Sequence, residues 1–154
     1  MRASHDRGRL TVRARIAGHP LHPALVHFPL ALWFVAILWD LVGWWQSDPL
    51  WWQMGYWCLT LGMAASLPAL VTGVLDFLGL RADEPGLNAA TAHMMVMLSA
   101  TTAFGSSWIL RALAGAPVAP SNWALGLALV GAALLAVGGW LGGTLVYRHG
   151  IGRS

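Results

Sequence analysis

Apolar and polar positions divide the chain into four long apolar runs separated by short polar stretches. The runs lie near 23–45, 51–78, 89–113 and 122–146. Each meets or exceeds the roughly 20 helical residues that a ~30 Å hydrocarbon core requires. They are continuous, whereas barrel strands would alternate apolar and polar positions in short segments, so the pattern predicts helices. The expectation is an all-α protein, an integral membrane four-helix bundle spanning 19–154 and preceded by a basic leader, 1–18.

Composition agrees with that class. With 57% hydrophobic and 10% charged residues, the chain has too little polar surface to clothe a soluble domain. Arg2, Arg7, Arg9, Arg13 and Arg15 precede the first run, Arg81 lies between the second and third, and Arg148 and Arg153 follow the fourth. By the positive-inside rule both termini and the 2–3 connection face the cytoplasm, with Arg111 alone on the other side. The arginine leader reads as a membrane anchor rather than a nucleic-acid arm, so lipid is an expected partner and nucleic acid is not. The first run is too long for a signal-peptide core and is expected to be retained. Trp44, Trp45, Trp51, Trp52, Trp57, Trp108 and Trp123 cluster near the outward ends, as an interfacial belt does. Cys58 is the single cysteine, which excludes an intrachain disulfide.

Candidate chemistry gathers at the cytoplasmic ends. Pro23 suits a first helical position, with His22 as cap, and Asn88 can cap the third helix. His27 and His93 then each lie four residues inside, about 6 Å beyond their helix starts. Helices 1 and 3 run in the same direction, so two imidazoles reach one depth, the arrangement that two axial ligands of a haem iron need. Gly73 and Gly142, with Gly138, Gly139 and Gly143, reduce bulk at that level, although small residues also serve plain helix packing. Arg148, with Arg13, Arg15 and Arg81, can meet propionate carboxylates. Asp76 can accept the free ring N–H of a ligating histidine or pair with an arginine. His22 and His149 form a second, shallower pair for another haem or a metal ion, while His5 and His19 are expected in the solvated leader. Asp40 is expected to meet water or a helix partner. Pro29 and Pro68 release the carbonyls of Leu25 and Ala64 from helical bonding.

The segment Gly18-His19-Pro20-Leu21-His22-Pro23-Ala24-Leu25-Val26-His27-Phe28-Pro29 and the stretch Thr72-Gly73-Val74-Leu75-Asp76 resemble the bacterial transmembrane family called domain of unknown function 2231. The closing stretch Gly139-Trp140-Leu141-Gly142-Gly143-Thr144-Leu145-Val146-Tyr147-Arg148-His149-Gly150 is similar to that family's carboxyl end. The likeness covers residues 18–152. It implies a fold like that of small four-helix b-type cytochromes, location in the bacterial inner membrane, and a Rieske-type redox partner. It carries His22, His27, His93, Asp76 and His149 as candidate site residues. Thr144 stands where the family often has an acidic residue, which leaves any site needing that carboxylate without it.

The leading expectation is therefore a b-type haem subunit for membrane electron transfer, with haem b between His27 and His93 and a quinol or Rieske-type partner. A second reading is a metal-binding or metal-transport protein using His22, His27, His93 and His149 with Asp76. A third is a cofactor-free structural subunit of a larger membrane complex or homo-oligomer. No Ser or Cys has the histidine and carboxylate surroundings that nucleophilic catalysis requires.

Overall fold

The computed structural model describes residues 14–152. His5, Arg2, Arg7, Arg9, Arg13 and Arg153 lie outside the described residues, so most of the expected leader does too.

The described chain opens with a two-stranded antiparallel hairpin, β1 (Arg15–Ile16) and β2 (His19–Pro20). Ala17 and Gly18 turn it, both at positive φ (49° and 81°), as a tight primed hairpin turn requires. The hairpin leads into α1 (Leu21–Leu25) and α2 (His27–Gln46). The interruption at Val26 falls three residues before Pro29, which has no N–H for the preceding turn and leaves the Leu25 carbonyl without its helical partner. Pro68, by contrast, is absorbed within α3 (Pro49–Phe77).

Two helices begin on caps readable from their residue types. Asp48 accepts the Leu50 N–H at 2.9 Å, with Pro49 in the first position of α3. Ser121 accepts the Ala124 N–H at 3.2 Å at the start of α5 (Asn122–His149). The caps assigned from sequence to His22 and Asn88 are not there. Pro20 precedes α1 and places His22 inside it, while Gly86 precedes α4 (Leu87–Leu113) and places Asn88 inside that helix. Gly150, at φ 69°, ends α5 in the left-handed conformation.

The four long helices pack in chain order, α2 on α3, α3 on α4 and α4 on α5, and α2 also meets α5. Among the described residues three segments are long and apolar enough to cross a membrane: Leu21–Gln46, Pro49–Phe77 and Asn122–His149. The helix α4 has the length, but Thr91, Ser99, Thr101, Thr102, Ser106, Ser107 and Arg111 lower its apolar character. Its hydroxyls mostly turn back onto carbonyls one turn earlier, as in Thr101 to Met97 and Thr102 to Leu98, both at 2.9 Å.

The core is centred on Trp33 of α2 and Phe104 of α4, whose rings stack with centroids 4.5 Å apart. Gly62 on α3 lies against Trp33 and Gly131 on α5 against Phe104, each so close that a Cβ there would strike the ring. Glycine at these two points lets backbone approach aromatic face, which is how helices pack tightly when lipid supplies no hydrophobic drive. Of the tryptophans expected to form an interfacial belt, Trp44, Trp45, Trp57 and Trp123 are exposed, whereas Trp51 stacks on Trp39, Trp52 lies against Gly43 and Trp108 donates to the Thr60 hydroxyl at 2.9 Å.

Candidate functional site

At the end where α1 and α4 begin and α3 and α5 finish, the helices enclose a cavity of about 530 Å³. Its lining includes His22, His27, His93 and Asp76, above a floor that includes Trp33 and Leu135. A volume of this size falls in the range of small-molecule and cofactor sites.

Two of the imidazoles are held by the same device. On α1, His22 donates its Nδ1–H to the Ala69 carbonyl of α3 at 2.8 Å, and its ring lies over Gly73, one turn further along that helix. On α4, His93 donates its Nδ1–H to the Gly138 carbonyl of α5 at 2.9 Å, with its ring over Gly142, again one turn on. A carbonyl only accepts, so each bond places the proton on Nδ1 and leaves the Nε2 lone pair for another partner. A Cβ at Gly73 would come within 2.8 Å of the His22 ring, and one at Gly142 within 3.2 Å of the His93 ring. Both glycines are therefore seats for imidazoles, a role that composition alone cannot distinguish from helix packing.

His27 also lines the cavity, but it is the first residue of α2, is exposed, and makes no ring hydrogen bond among the described residues. The equal-depth argument that paired it with His93 assumed helices starting at Pro23 and Ala89. The helices start instead at Leu21 and Leu87, and α1 breaks at Val26.

The remaining candidates are dispersed around the rim. Asp76 lines the cavity and accepts the Ala14 N–H at 3.1 Å, so it ties the β1–β2 hairpin to the end of α3; the His22 and His93 ring protons go to carbonyls. His149 packs against Gly86 and is not part of the cavity wall, so it is not brought together with His22. Arg148 is exposed beside it. Arg81 forms a two-bond pair with Asp83 in the exposed α3–α4 connection, at 3.0 and 3.1 Å, and this pair holds the Asp83 carboxyl below the ordinary carboxylate range. Among the described residues no group of three or more His, Cys, Asp or Glu side chains gathers where it could hold a bare metal ion.

Sequence alone gave no role to two features of the bundle and left a third open. The Ala69 and Gly138 carbonyls carry no residue-type signal, because any helical residue offers one. Trp33 looked like one more tryptophan in an apolar run. Asp40, expected to meet water or a helix partner, meets the partner: it and Arg111, far apart in sequence, form a buried two-bond ion pair at the other end of the helices.

A family model described as a predicted membrane protein (DUF2231) matches residues 18–154. No curated protein and no solved structure matches the chain.

Proposed function

The chain belongs to the DUF2231 family of predicted membrane proteins, and from that premise we propose that it is a b-type haem subunit for electron transfer in the bacterial inner membrane. In this reading all four long helices cross the bilayer as one bundle with both termini cytoplasmic, and His22 and His93 would hold the haem.

One observation carries the reading. Both imidazoles border the same cavity and both give their Nδ1–H to a backbone carbonyl. Metal-bound histidines characteristically donate the second ring nitrogen in this way, which fixes the tautomer and raises the basicity of the ligating nitrogen. The residues present therefore fit a haem. The donor set would be two imidazoles presenting Nε2, Gly73 and Gly142 keep the helix faces beside them bare, and the walls are largely apolar. His22 replaces His27 as the partner of His93 because it alone has the matching carbonyl bond and helical seat.

When bound, the haem supplies one-electron redox chemistry, with a potential set by its axial ligands and burial. The chain's own groups do the rest. The carbonyl bonds would hold the imidazoles in one orientation, and Trp33 and Leu135 would keep water out from below. Electrons would be exchanged with a quinol or a Rieske-type protein, since among the described residues no group of three or more His, Cys, Asp or Glu side chains could hold an iron–sulfur centre.

The test is the absorption spectrum of the purified protein in mild detergent, oxidised and dithionite-reduced, for the wild type and for His22→Ala, His27→Ala and His93→Ala. A sharp reduced b-type band that is lost with His22 or His93 and kept with His27 is the expected result. Loss with His27 but not His22 would return the pairing to His27 and His93. Absence of any band after expression with ample haem would end the haem reading.

A further inference from the structure

The two histidine seats belong to a correspondence that runs the length of the molecule. His22 and His93, Trp33 and Phe104, and Asp40 and Arg111 are three pairs on α1/α2 and α4, each separated by 71 residues. Gly62 and Gly131, Ala69 and Gly138, and Gly73 and Gly142 are three pairs on α3 and α5, each separated by 69.

Each member does the same thing in its own half. The histidine bonds the carbonyl at the second position of the glycine helix and rests on the third, and the aromatic ring presses on the first. Burial keeps the same register: Pro29, Trp33, Ala36 and Asp40 are buried on α2, as are Ala100, Phe104, Ser107 and Arg111 on α4. Exchanging α2 with α4 and α3 with α5 also turns the α2–α5 contact into the α3–α4 contact, and both are present. Equivalent residues meet each other where the halves face, as the Trp33–Phe104 stack and the Asp40–Arg111 ion pair. Such self-meeting of equivalent positions is the mark of an isologous, two-fold interface.

We infer that the chain is two equivalent helical hairpins, 22–77 and 93–146, related by a two-fold axis along the helices, and that the cavity on this axis takes one flat ligand presenting equivalent faces to His22 and His93. The ligand clause rests on the haem reading; the hairpin clause does not. In this arrangement Asp40 and Arg111 are a pairing code. A half matched with its own copy would set carboxylate against carboxylate or guanidinium against guanidinium, so only unlike halves can join. The surroundings follow the same logic. Gly55 of α3 leaves room for the Asp40 carboxylate, which a Cβ would meet at 2.7 Å, and its counterpart 69 residues on is Ala124, whose carbonyl accepts from the Ser107 hydroxyl that in turn accepts from Arg111.

The hairpin clause is tested in the full chain without any ligand. D40R alone and R111D alone each bury two like charges and are expected to lower the yield of folded protein in detergent about tenfold or more. D40R/R111D recovers most of that yield, and adding A124G to the exchanged chain raises its thermal midpoint, because the moved carboxylate then has the room that Gly55 provides at its native place. A124G in the wild type gives no such gain. Exchanged chains as poorly folded as the single variants, with or without A124G, would overturn the inference.

The ligand clause is tested by titrating haem into the wild type, His22→Ala and His93→Ala. Equal losses of retained haem in the two variants support it. One variant holding haem like the wild type while the other holds none overturns the two-fold site and leaves the haem reading standing. A wild type that takes up no haem, beside an exchanged chain that folds, overturns the haem reading and the ligand clause together and leaves the paired hairpins.

Discussion

Arg111 on α4 grips Asp40 on α2 through two N–H···O bonds of 2.8 and 2.6 Å, with the side chains 3% and 0% accessible. Ser107 completes the arrangement, accepting from Arg111 Nε at 3.4 Å and donating to the Ala124 carbonyl at 2.6 Å. A charge in an apolar bundle is tolerated only when paired.

Removing either partner leaves the other buried and uncompensated. Asp40→Ala and Arg111→Ala are each expected to cost about 3–5 kcal/mol, read as a lower thermal midpoint in detergent. Midpoints unchanged from the wild type would show that water reaches this end of the helices.

The stacked core pair gives a second expectation. Trp33→Ala opens a large void beneath the cavity and removes the face on which Phe104 and Gly62 rest, so a loss of roughly 3–5 kcal/mol is expected. Phe104→Ala should be similar, because it occupies the corresponding place beside Gly131. Denaturation in mixed micelles measures both, and a loss confined to one of them would contradict their shared role.

Methyl groups at the two histidine seats act differently in degree. A Cβ at Gly73 would meet the His22 ring at 2.8 Å, and one at Gly142 the His93 ring at 3.2 Å. Gly73→Ala is therefore expected to displace its imidazole more than Gly142→Ala, at an overpacking cost of about 1–3 kcal/mol. The histidine ring signals in nuclear magnetic resonance spectra would report the displacement, and a larger shift for His93 in Gly142→Ala would contradict the order.

The Arg81–Asp83 pair has a signed pH dependence. Because Arg81 lowers the folded-state pKa of Asp83, the stabilisation is present above the unfolded pKa and is lost as the pH falls through the folded value. Both side chains are over 70% accessible, so water screens the pair and its effect is small. Asp83→Ala should leave the thermal midpoint nearly unchanged at neutral pH, with any gap from the wild type closing in acid. A gap that widened on acidification would reverse the assignment.

Orientation is tested by impermeant thiol labelling in a chain whose Cys58 is replaced by Ser. A cysteine placed at Ala82 should be shielded in intact cells and one at Ala119 labelled, since the arginine distribution puts the α3–α4 connection inside. The opposite pattern would move the histidine end to the outside.

The helices were largely legible in the chain, because long apolar runs bounded by turn and capping residues leave the backbone little alternative to the helix. The ranges near 51–78 and 122–146 became Pro49–Phe77 and Asn122–His149, and the break near Pro29 followed from its missing N–H. The ends were less legible, because Pro20 and Gly86 stand where a polar side chain was expected as a cap.

At the site, sequence determined that imidazoles and glycines would share one end of the bundle, since position along a helix sets depth. Only the tertiary structure decided which imidazole matches His93. His22 and Ala69 are 47 residues apart and His93 and Gly138 are 45 apart, so their hydrogen bonds exist only once α3 and α5 lie alongside. The same holds for Asp40 and Arg111. Sequence determined that each would be costly in an apolar helix; the bundle, which sets α2 across from α4, decided that each would neutralise the other.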